Sequence, residues 1–322
     1  MTFNPYKEDL PIVDVFDEVK KKLRQSKTLV LTAPPGAGKS TLLPLALLKE
    51  NWLKGKKILM LEPRRLAARG IATRMADLIG EKVGETIGYR VRFDTKVSDQ
   101  TRIEILTEGI LTRMLQNDNA LEEVGLIIFD EFHERSIHAD IALALTRETQ
   151  SVLREDLRLL IMSATINSEA LTSMLKAPLV ESHGRQHPVE IKYENEADVT
   201  MLPEAAAATI LKALKNDQGD LLVFLPGERE ITKCAEIIKR KTDFQKVAVQ
   251  ELYGRLPQGK QQAAILPNRQ GKRKVVIATS IAETSLTIEG VKVVIDCGFG
   301  RVSRYDSQSG LSGLRTIRIA KD

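Results

Sequence analysis

Only two cysteines occur in 322 residues, Cys234 and Cys297. They form neither a CxxC pair nor a metal-ligand spacing, so both read as reduced small hydrophobes. Long apolar runs are also missing. The longest, Leu42 to Leu48, is interrupted by Pro44 and falls far short of the ~20 residues that span a bilayer. The N-terminus is polar and soon acidic, unlike a signal peptide. These absences lead us to expect a cytoplasmic protein with no membrane partner. Aromatic residues make up 4% of the chain, which argues against broad platforms for stacking nucleobases. No strong excess of one charge is present either. Lys plus Arg number 48 against 43 for Asp plus Glu, a net charge of +5. That balance tolerates a polyanionic partner without demanding one.

What is present is an ordinary globular composition, 43% hydrophobic and 28% charged, long enough for two domains of roughly 150 residues. Short runs rich in Ile, Leu and Val recur at Thr28–Thr32, Lys57–Glu62, Arg102–Thr107, Gly125–Asp130 and Leu157–Ser163. Near-continuous apolar runs of this length predict strands buried on both faces. Longer periodic segments between them, such as Arg64–Ile79 and Gly109–Gln116, predict crossover helices on a parallel sheet. Residues 177–203 mix Pro, Gly, His and charge, and then the alternation restarts. Helices are predicted at Pro203–Lys215 and Glu228–Lys241. Strands are predicted at Asp220–Leu225, Lys246–Glu251, Lys274–Thr279 and Val291–Asp296. The division is placed at 1–185 and 186–322.

One motif carries chemistry by itself. The strand Thr28–Thr32 runs into APPGAGKST, Ala33 to Thr41, and then into an apolar helix. Phosphates need backbone N–H donors packed around them. Gly36 and Gly38 let the chain curl, with Ala37 between them. The following helix is expected to add its N-terminal partial charge. Lys39 can reach the β- and γ-phosphates of a nucleoside triphosphate. The hydroxyl of Ser40, beside Thr41, can ligate Mg²⁺. Ala33 stands where the pattern GxxxxGK[ST] has its first Gly, a place that accepts small residues.

A second signal is the apolar strand that ends in Asp130-Glu131. A carboxylate at such a strand end faces the crevice where open α/β sheets bind ligands. Asp130 can hold Mg²⁺ through water, and Glu131, also a candidate metal contact, can orient or deprotonate an attacking water. A solvated acidic turn is the plain alternative, and the phosphate loop outweighs it. His133 and His138 follow in the spacing HExxxH, which does not put both imidazoles on one helix face, so zinc is not expected.

Several further segments, in order, resemble a known family. They are LEPRRLAAR (61–69), TEGILTR (107–113), DEFHERS (130–136), SAT (163–165), LLVFLPGEREI (221–231), LYGRLP (252–257) and ATSIAETSLTI (278–288). With APPGAGKS they make the chain similar to the superfamily 2 helicases of the DEAH type, and specifically to the bacterial HrpB-type helicases. Phe132 stands where most relatives have Ala. The resemblance implies an α/β fold of tandem RecA-like (P-loop NTPase) domains with parallel sheets, and ATP and Mg²⁺ as cofactors. It implies single-stranded nucleic acid, RNA preferred, held by phosphate contacts with little sequence preference. The implied contacts are Arg64, Arg65, Arg90, Arg92, Thr107, Arg113 and Thr279, with a surface ion pair as the alternative for each arginine. Arg74 and Phe299 match the pair that sandwiches the adenine, although Phe299 equally suits ordinary packing. Ser163, Thr165, Glu283 and Thr284 lie in the coupling motifs, and His133 lies among the catalytic residues of the Asp-Glu-Ala-His motif.

The family's final motif, Gln-x-x-Gly-Arg-x-Gly-Arg, does not occur; Gly-Arg is found at 184–185, 254–255 and 300–301 only. Its arginines are worth ~10³–10⁵ in rate where such fingers act. We therefore expect the N-terminal part of a longer protein, its second domain incomplete at the C-terminus, which binds ATP and turns it over weakly. A nucleotide- and nucleic-acid-binding module without useful catalysis, and a DNA-directed translocase, remain as alternatives.

Overall fold

A computed structural model describes residues 3–164, 168–184, 188–194, 198–243, 245–266, 268, 270–283, 288–308 and 310–319. The chain forms two compact units, Met1–Pro188 and Val189–Asp322. The division expected after residue 185 falls at residues 185–187, outside the described residues.

The first unit is built on β1 (Thr28–Thr32), β2 (Lys57–Leu61), β3 (Ile87–Val91), β4 (Asp94–Lys96), β5 (Ile103–Leu106), β6 (Val124–Phe129), β7 (Arg158–Ser163) and β8 (Leu179–Glu181). They form one sheet in the order β4-β3-β5-β2-β6-β7-β1-β8. Every pairing is parallel except that of β4 with β3. The central strand β6 is buried along its whole length and β7 from Leu159 onward, which is why they read as apolar runs. Alternate residues serve opposite faces. Leu29, Leu31, Ile58, Met60, Leu126 and Ile128 join one core, while Val30, Leu59, Leu61, Ile127 and Phe129 join the other. Helices α1 (Phe16–Gln25), α2 (Leu42–Leu47), α3 (Arg65–Ile79), α4 (Glu108–Asn117), α5 (Ile137–Val152) and α6 (Ser168–Leu175) complete the unit. The strand topology puts the ends of β1, β6 and β7 side by side, and the loops leaving those ends carry the site.

The second unit has a four-stranded parallel sheet, order β10-β11-β9-β12. Its strands are β9 (Asp220–Phe224), β10 (Val247–Leu252), β11 (Arg273–Ala278) and β12 (Val291–Asp296). Helices α7 (Leu202–Asn216), α8 (Glu228–Lys241) and α9 (Gln258–Ile265) accompany them, and a separate antiparallel hairpin follows, β13 (Phe299–Asp306) with β14 (Leu311–Arg318). Its core centres on Ile210, Leu221, Val223, Ile231, Cys234, Ile238, Val275 and Ile277.

The predicted strands and helices match these elements within a residue or two. Some features differ. The hairpins β3–β4 and β13–β14 and the three-residue edge strand β8 were not expected: β13–β14 is rich in Arg, Gly, Ser and Asp, in β3 only the alternate residues Ile87, Tyr89 and Val91 are apolar, and β8 lies in the stretch 177–203. The helix after the phosphate loop starts at Leu42 as expected but ends at Leu47, before Leu48, Lys49 and Glu50.

Both thiols sit in the second unit. Cys234 is fully buried and Cys297 half-buried. Desolvation pushes Cys234 up to about 12 and Cys297 up to about 11. The thiolate is the reactive form, so burial holds both thiols in their unreactive, protonated form at pH 8. Neither cysteine should react with a thiol reagent in the native protein within minutes at pH 8, and both should react in denaturant. Rapid native labelling would contradict this packing.

Candidate nucleotide site

The phosphate loop leaves the end of β1, where Ala33 N–H donates to the Ser163 carbonyl at 3.1 Å. Gly36 and Gly38 have φ of +76° and +89°, the left-handed conformation that glycine tolerates without a Cβ penalty. Ala37 is buried, and its N–H donates to the Pro34 carbonyl. The N–H groups of Gly36, Gly38, Lys39 and Ser40 meet no acceptor among the described residues. Four unspent donors on one curled stretch make a concavity suited to an anion. Ser40 and Thr41 are half-buried at its end.

Lys39 is almost wholly buried. Its Nζ lies 2.8 Å from Glu131 Oε1, with 4% and 7% of the two side chains exposed. Glu131 follows Asp130 at the end of β6 and has φ +49°, a conformation that costs a non-glycine residue about 1–3 kcal/mol. That turn swings the carboxylate back toward the phosphate loop. Its Oε2 lies 3.4 Å from His133 Nε2. His133 Nδ1 accepts from the Ala164 N–H at 3.2 Å. With Nδ1 accepting, the neutral ring carries its proton on Nε2, facing Glu131. The Ser-Ala pair that ends β7 is thereby tied to the acidic turn. Sequence reasoning placed His133 in the motif but missed this bond, because Ala164 is 31 residues away.

Asp130 is buried, and its Oδ1 accepts from the Glu131 N–H at 2.9 Å. Burial pushes its carboxyl up to about 6; Lys39 pulls it down and Glu131 raises it further. Ser40 stands close enough to favour the charged form, yet its hydroxyl completes no hydrogen bond, and Oδ2 has no partner. An orphaned carboxylate oxygen beside a serine hydroxyl fits Mg²⁺, which takes one or two protein oxygens and shares the rest with phosphate and water. Among the described residues no group of three or more His, Cys, Asp or Glu side chains converges as a metal cage. Phe132 is buried edge-on against Phe129, centroids 6.1 Å apart, which accounts for an aromatic where relatives have Ala.

The other expected residues are distributed as follows. Arg64 pairs with Glu134 at 3.4 Å, and Arg90 with buried Glu104 at 2.6 Å, so both arginines have structural partners. Arg65 and Arg74 on α3 and Arg113 on α4 are exposed. Arg92 is exposed over the ring of Phe93, 4.7 Å from its centroid, at the tip of the β3–β4 hairpin. Thr107 and Thr279 precede helical turns without capping them through their hydroxyls. Ser163 is buried at the end of β7, and Glu283 is exposed in the second unit. Phe299 packs against the second unit's core, with Arg318 5.8 Å from its ring. Thr165 and Thr284 lie outside the described residues.

Replacing His133 with Ala removes the acceptor of the half-buried Ala164 N–H, at a cost of about 0.5–1.5 kcal/mol. The first unit should then melt about 2–4 °C lower per kcal/mol, with His133→Asn recovering part of the loss by supplying an acceptor oxygen. An unchanged melting temperature in His133→Ala would contradict the bond.

Comparison with known proteins agrees with this geometry. The family model described as DEAD/DEAH box helicase matches residues 15–173, and that described as helicase conserved C-terminal domain matches residues 204–310. The chain is 49% identical over 313 residues to the ATP-dependent RNA helicase HrpB of Escherichia coli (strain K12), covering 97% of this chain and 38% of that protein. It is 36% identical to the pre-mRNA-splicing factor ATP-dependent RNA helicase prp22 of Schizosaccharomyces pombe, covering 100% of this chain and 28% of that one. A crystal structure of the Escherichia coli DEAH/RHA helicase HrpB superposes with a TM-score of 0.90 at 48% identity, over 97% of this chain and 40% of that chain. The chain thus spans well under half the length of these relatives. Tandem RecA-like α/β units, the phosphate loop, the acidic turn and these matches together establish that the chain belongs to the DEAH-box superfamily 2 helicases.

Proposed function

We propose that this chain is the nucleotide-hydrolysing part of an ATP-dependent RNA helicase or translocase. The observation that carries the proposal is the convergence of Lys39, Glu131 and Asp130 on a loop with four unspent N–H donors. In this reading the backbone from Gly36 to Thr41 and the Lys39 ammonium receive the β- and γ-phosphates. Ser40 and Asp130, with Glu131 nearby, would hold Mg²⁺, which would supply charge neutralisation at the phosphate oxygens. Glu131 takes a proton from water as that water's oxygen bonds to the γ-phosphorus. The bond from the γ-phosphorus to its bridging oxygen breaks, leaving ADP and phosphate. His133 holds Glu131 in orientation from its other side.

Arg74 in the first unit and Phe299 in the second are each a candidate contact to the base, on the resemblance alone. Stacking of this kind reads a π-face and discriminates bases weakly. Arg64, Arg65, Arg90, Arg92, Thr107, Arg113 and Thr279 contact the strand; Arg64 and Arg90 would have to loosen from Glu134 and Glu104 to do so. Ser163 and Thr165 in the first unit, with Glu283 and Thr284 in the second, couple nucleotide state to strand binding. RNA is preferred because the curated relatives are named as RNA helicases. A second reading, binding without useful turnover, is favoured for the 322 residues alone, since they contain no GRxGR.

The full-length protein should hydrolyse ATP faster with single-stranded RNA than without, and a matched deoxyribo-oligonucleotide should compete poorly. No stimulation by any RNA or DNA would remove the helicase reading. Glu131→Gln should lower hydrolysis by about 10²–10⁴-fold. The same variant should bind an ATP analogue with Mg²⁺ at least as tightly as the parent protein, because Lys39 no longer has an ion pair to give up. Weaker binding in Glu131→Gln would contradict a competition between Glu131 and nucleotide for Lys39.

A further inference from the structure

The phosphate loop is held from outside by two short segments that lie beyond the residues 15–173 matched by the DEAD/DEAH box helicase model. The first is Leu10-Pro11-Ile12, where the chain enters a 3-10 turn at Pro11–Val15. Ile12 is fully buried, and its N–H donates to the Ala37 carbonyl at 3.1 Å. A Cβ on Gly38 would lie 2.9 Å from Leu10 Cδ1 and 3.1 Å from Ile12 Cγ2, so both side chains press on the loop at its tightest bend. The second segment follows β8. Ser182 N–H donates to the Thr32 carbonyl at 2.8 Å, and Ser182 Oγ donates to the Pro11 carbonyl at 3.1 Å. A Cβ on Gly184 would overlap the Pro34 ring. Pro34, Ala37 and Gly38 are thereby each fixed by a residue distant in sequence.

The bond at Ala37 has a directional consequence. A trans peptide holds its C=O and N–H antiparallel. With the Ala37 carbonyl aimed at Ile12, the Gly38 N–H must point away from the Leu10–Ile12 segment. That N–H is one of the four unspent donors. Two left-handed glycines make the loop permissive, since glycine has the most backbone freedom to lose. Its curvature therefore needs support from outside its own sequence.

We propose that Leu10, Pro11 and Ile12, anchored by Ser182, are positioning residues that hold the Ala37–Gly38 peptide with its N–H aimed at a bound phosphate. The proposal rests on the phosphate-loop reading above. None of these residues touches nucleotide. They act by pre-orienting a donor, so the cost of ordering the loop is met before binding.

The test is titration of the 322-residue chain with a fluorescent N-methylanthraniloyl ADP and Mg²⁺, beside thermal melting. Ser182→Ala and Leu10→Ala should each weaken nucleotide binding about tenfold, as for the loss of roughly 1.4 kcal/mol. Melting temperatures should stay within about 2–4 °C of the parent protein. Leu10→Met, which conserves volume, should restore binding. Lys39→Ala serves as the control that removes the phosphate contact itself. If the parent binds, Lys39→Ala does not, and both Ser182→Ala and Leu10→Ala bind like the parent, the brace is overturned and the phosphate loop stands. If the parent itself does not bind, the phosphate-loop reading fails and takes the brace with it. Should Leu10→Ala unfold, Ser182→Ala decides alone.

Discussion

Lys39 and Glu131 meet at 2.8 Å in a site that is nearly closed to water. Removing a buried charge from its partner costs about 3–5 kcal/mol, so neither side chain can leave without a replacement. A triphosphate with its metal ion is such a replacement, bringing anionic oxygens for Lys39 and a cation for the carboxylates. The rest of the first unit serves this contact. The strand order sets the ends of β1, β6 and β7 next to one another. The left-handed turn at Glu131 aims the carboxylate, and His133 ties that turn to Ala164. The Leu10–Ile12 segment fixes the bend from which Lys39 projects.

The charges near this pair are arranged at some energetic cost. Asp130 is buried with its carboxyl pushed up to about 6 and one oxygen left without a partner. A fold optimised for stability alone would not keep such a group, and functional sites commonly hold strain of this kind. By contrast, buried Glu104 is satisfied by Arg90 and Lys57, and Arg154 satisfies the carbonyls of Ala120, Leu121 and Val124. Other buried polar atoms also lack a hydrogen-bond partner, Trp52 Nε1 and Glu204 Oε2 among them, but the one at Asp130 lies where the phosphate loop makes a metal ion useful.

Most of the α/β pattern was legible in the chain because parallel strands buried on both faces leave long apolar runs, as in Val124–Phe129. The loop chemistry was legible because Gly36, Gly38, Lys39 and Ser40 are adjacent in sequence. Contacts between residues far apart were not. Lys39 and Glu131 are 92 positions apart, and Ser182 and Pro11 171. No local periodicity records such pairs. The ribbon of Phe299–Asp306 with Leu311–Arg318 was not foreseen, since it holds together by backbone bonds and leaves its side chains largely exposed, and β3 was missed because its apolar residues Ile87, Tyr89 and Val91 only alternate with Gly and Arg. The strap at Leu10–Ile12 left only a faint signal, two hydrophobes around a proline.

The central claim is that nucleotide replaces Glu131 as the partner of Lys39. A crystal structure of this chain with Mg²⁺ and a non-hydrolysable ATP analogue measures that directly, through the distance from Lys39 Nζ to Glu131 Oε1. The account predicts that Nζ leaves the carboxylate and contacts the β- and γ-phosphate oxygens, with Asp130 Oδ2 turned toward the metal or its water. A structure with nucleotide bound and the 2.8 Å pair intact would contradict it.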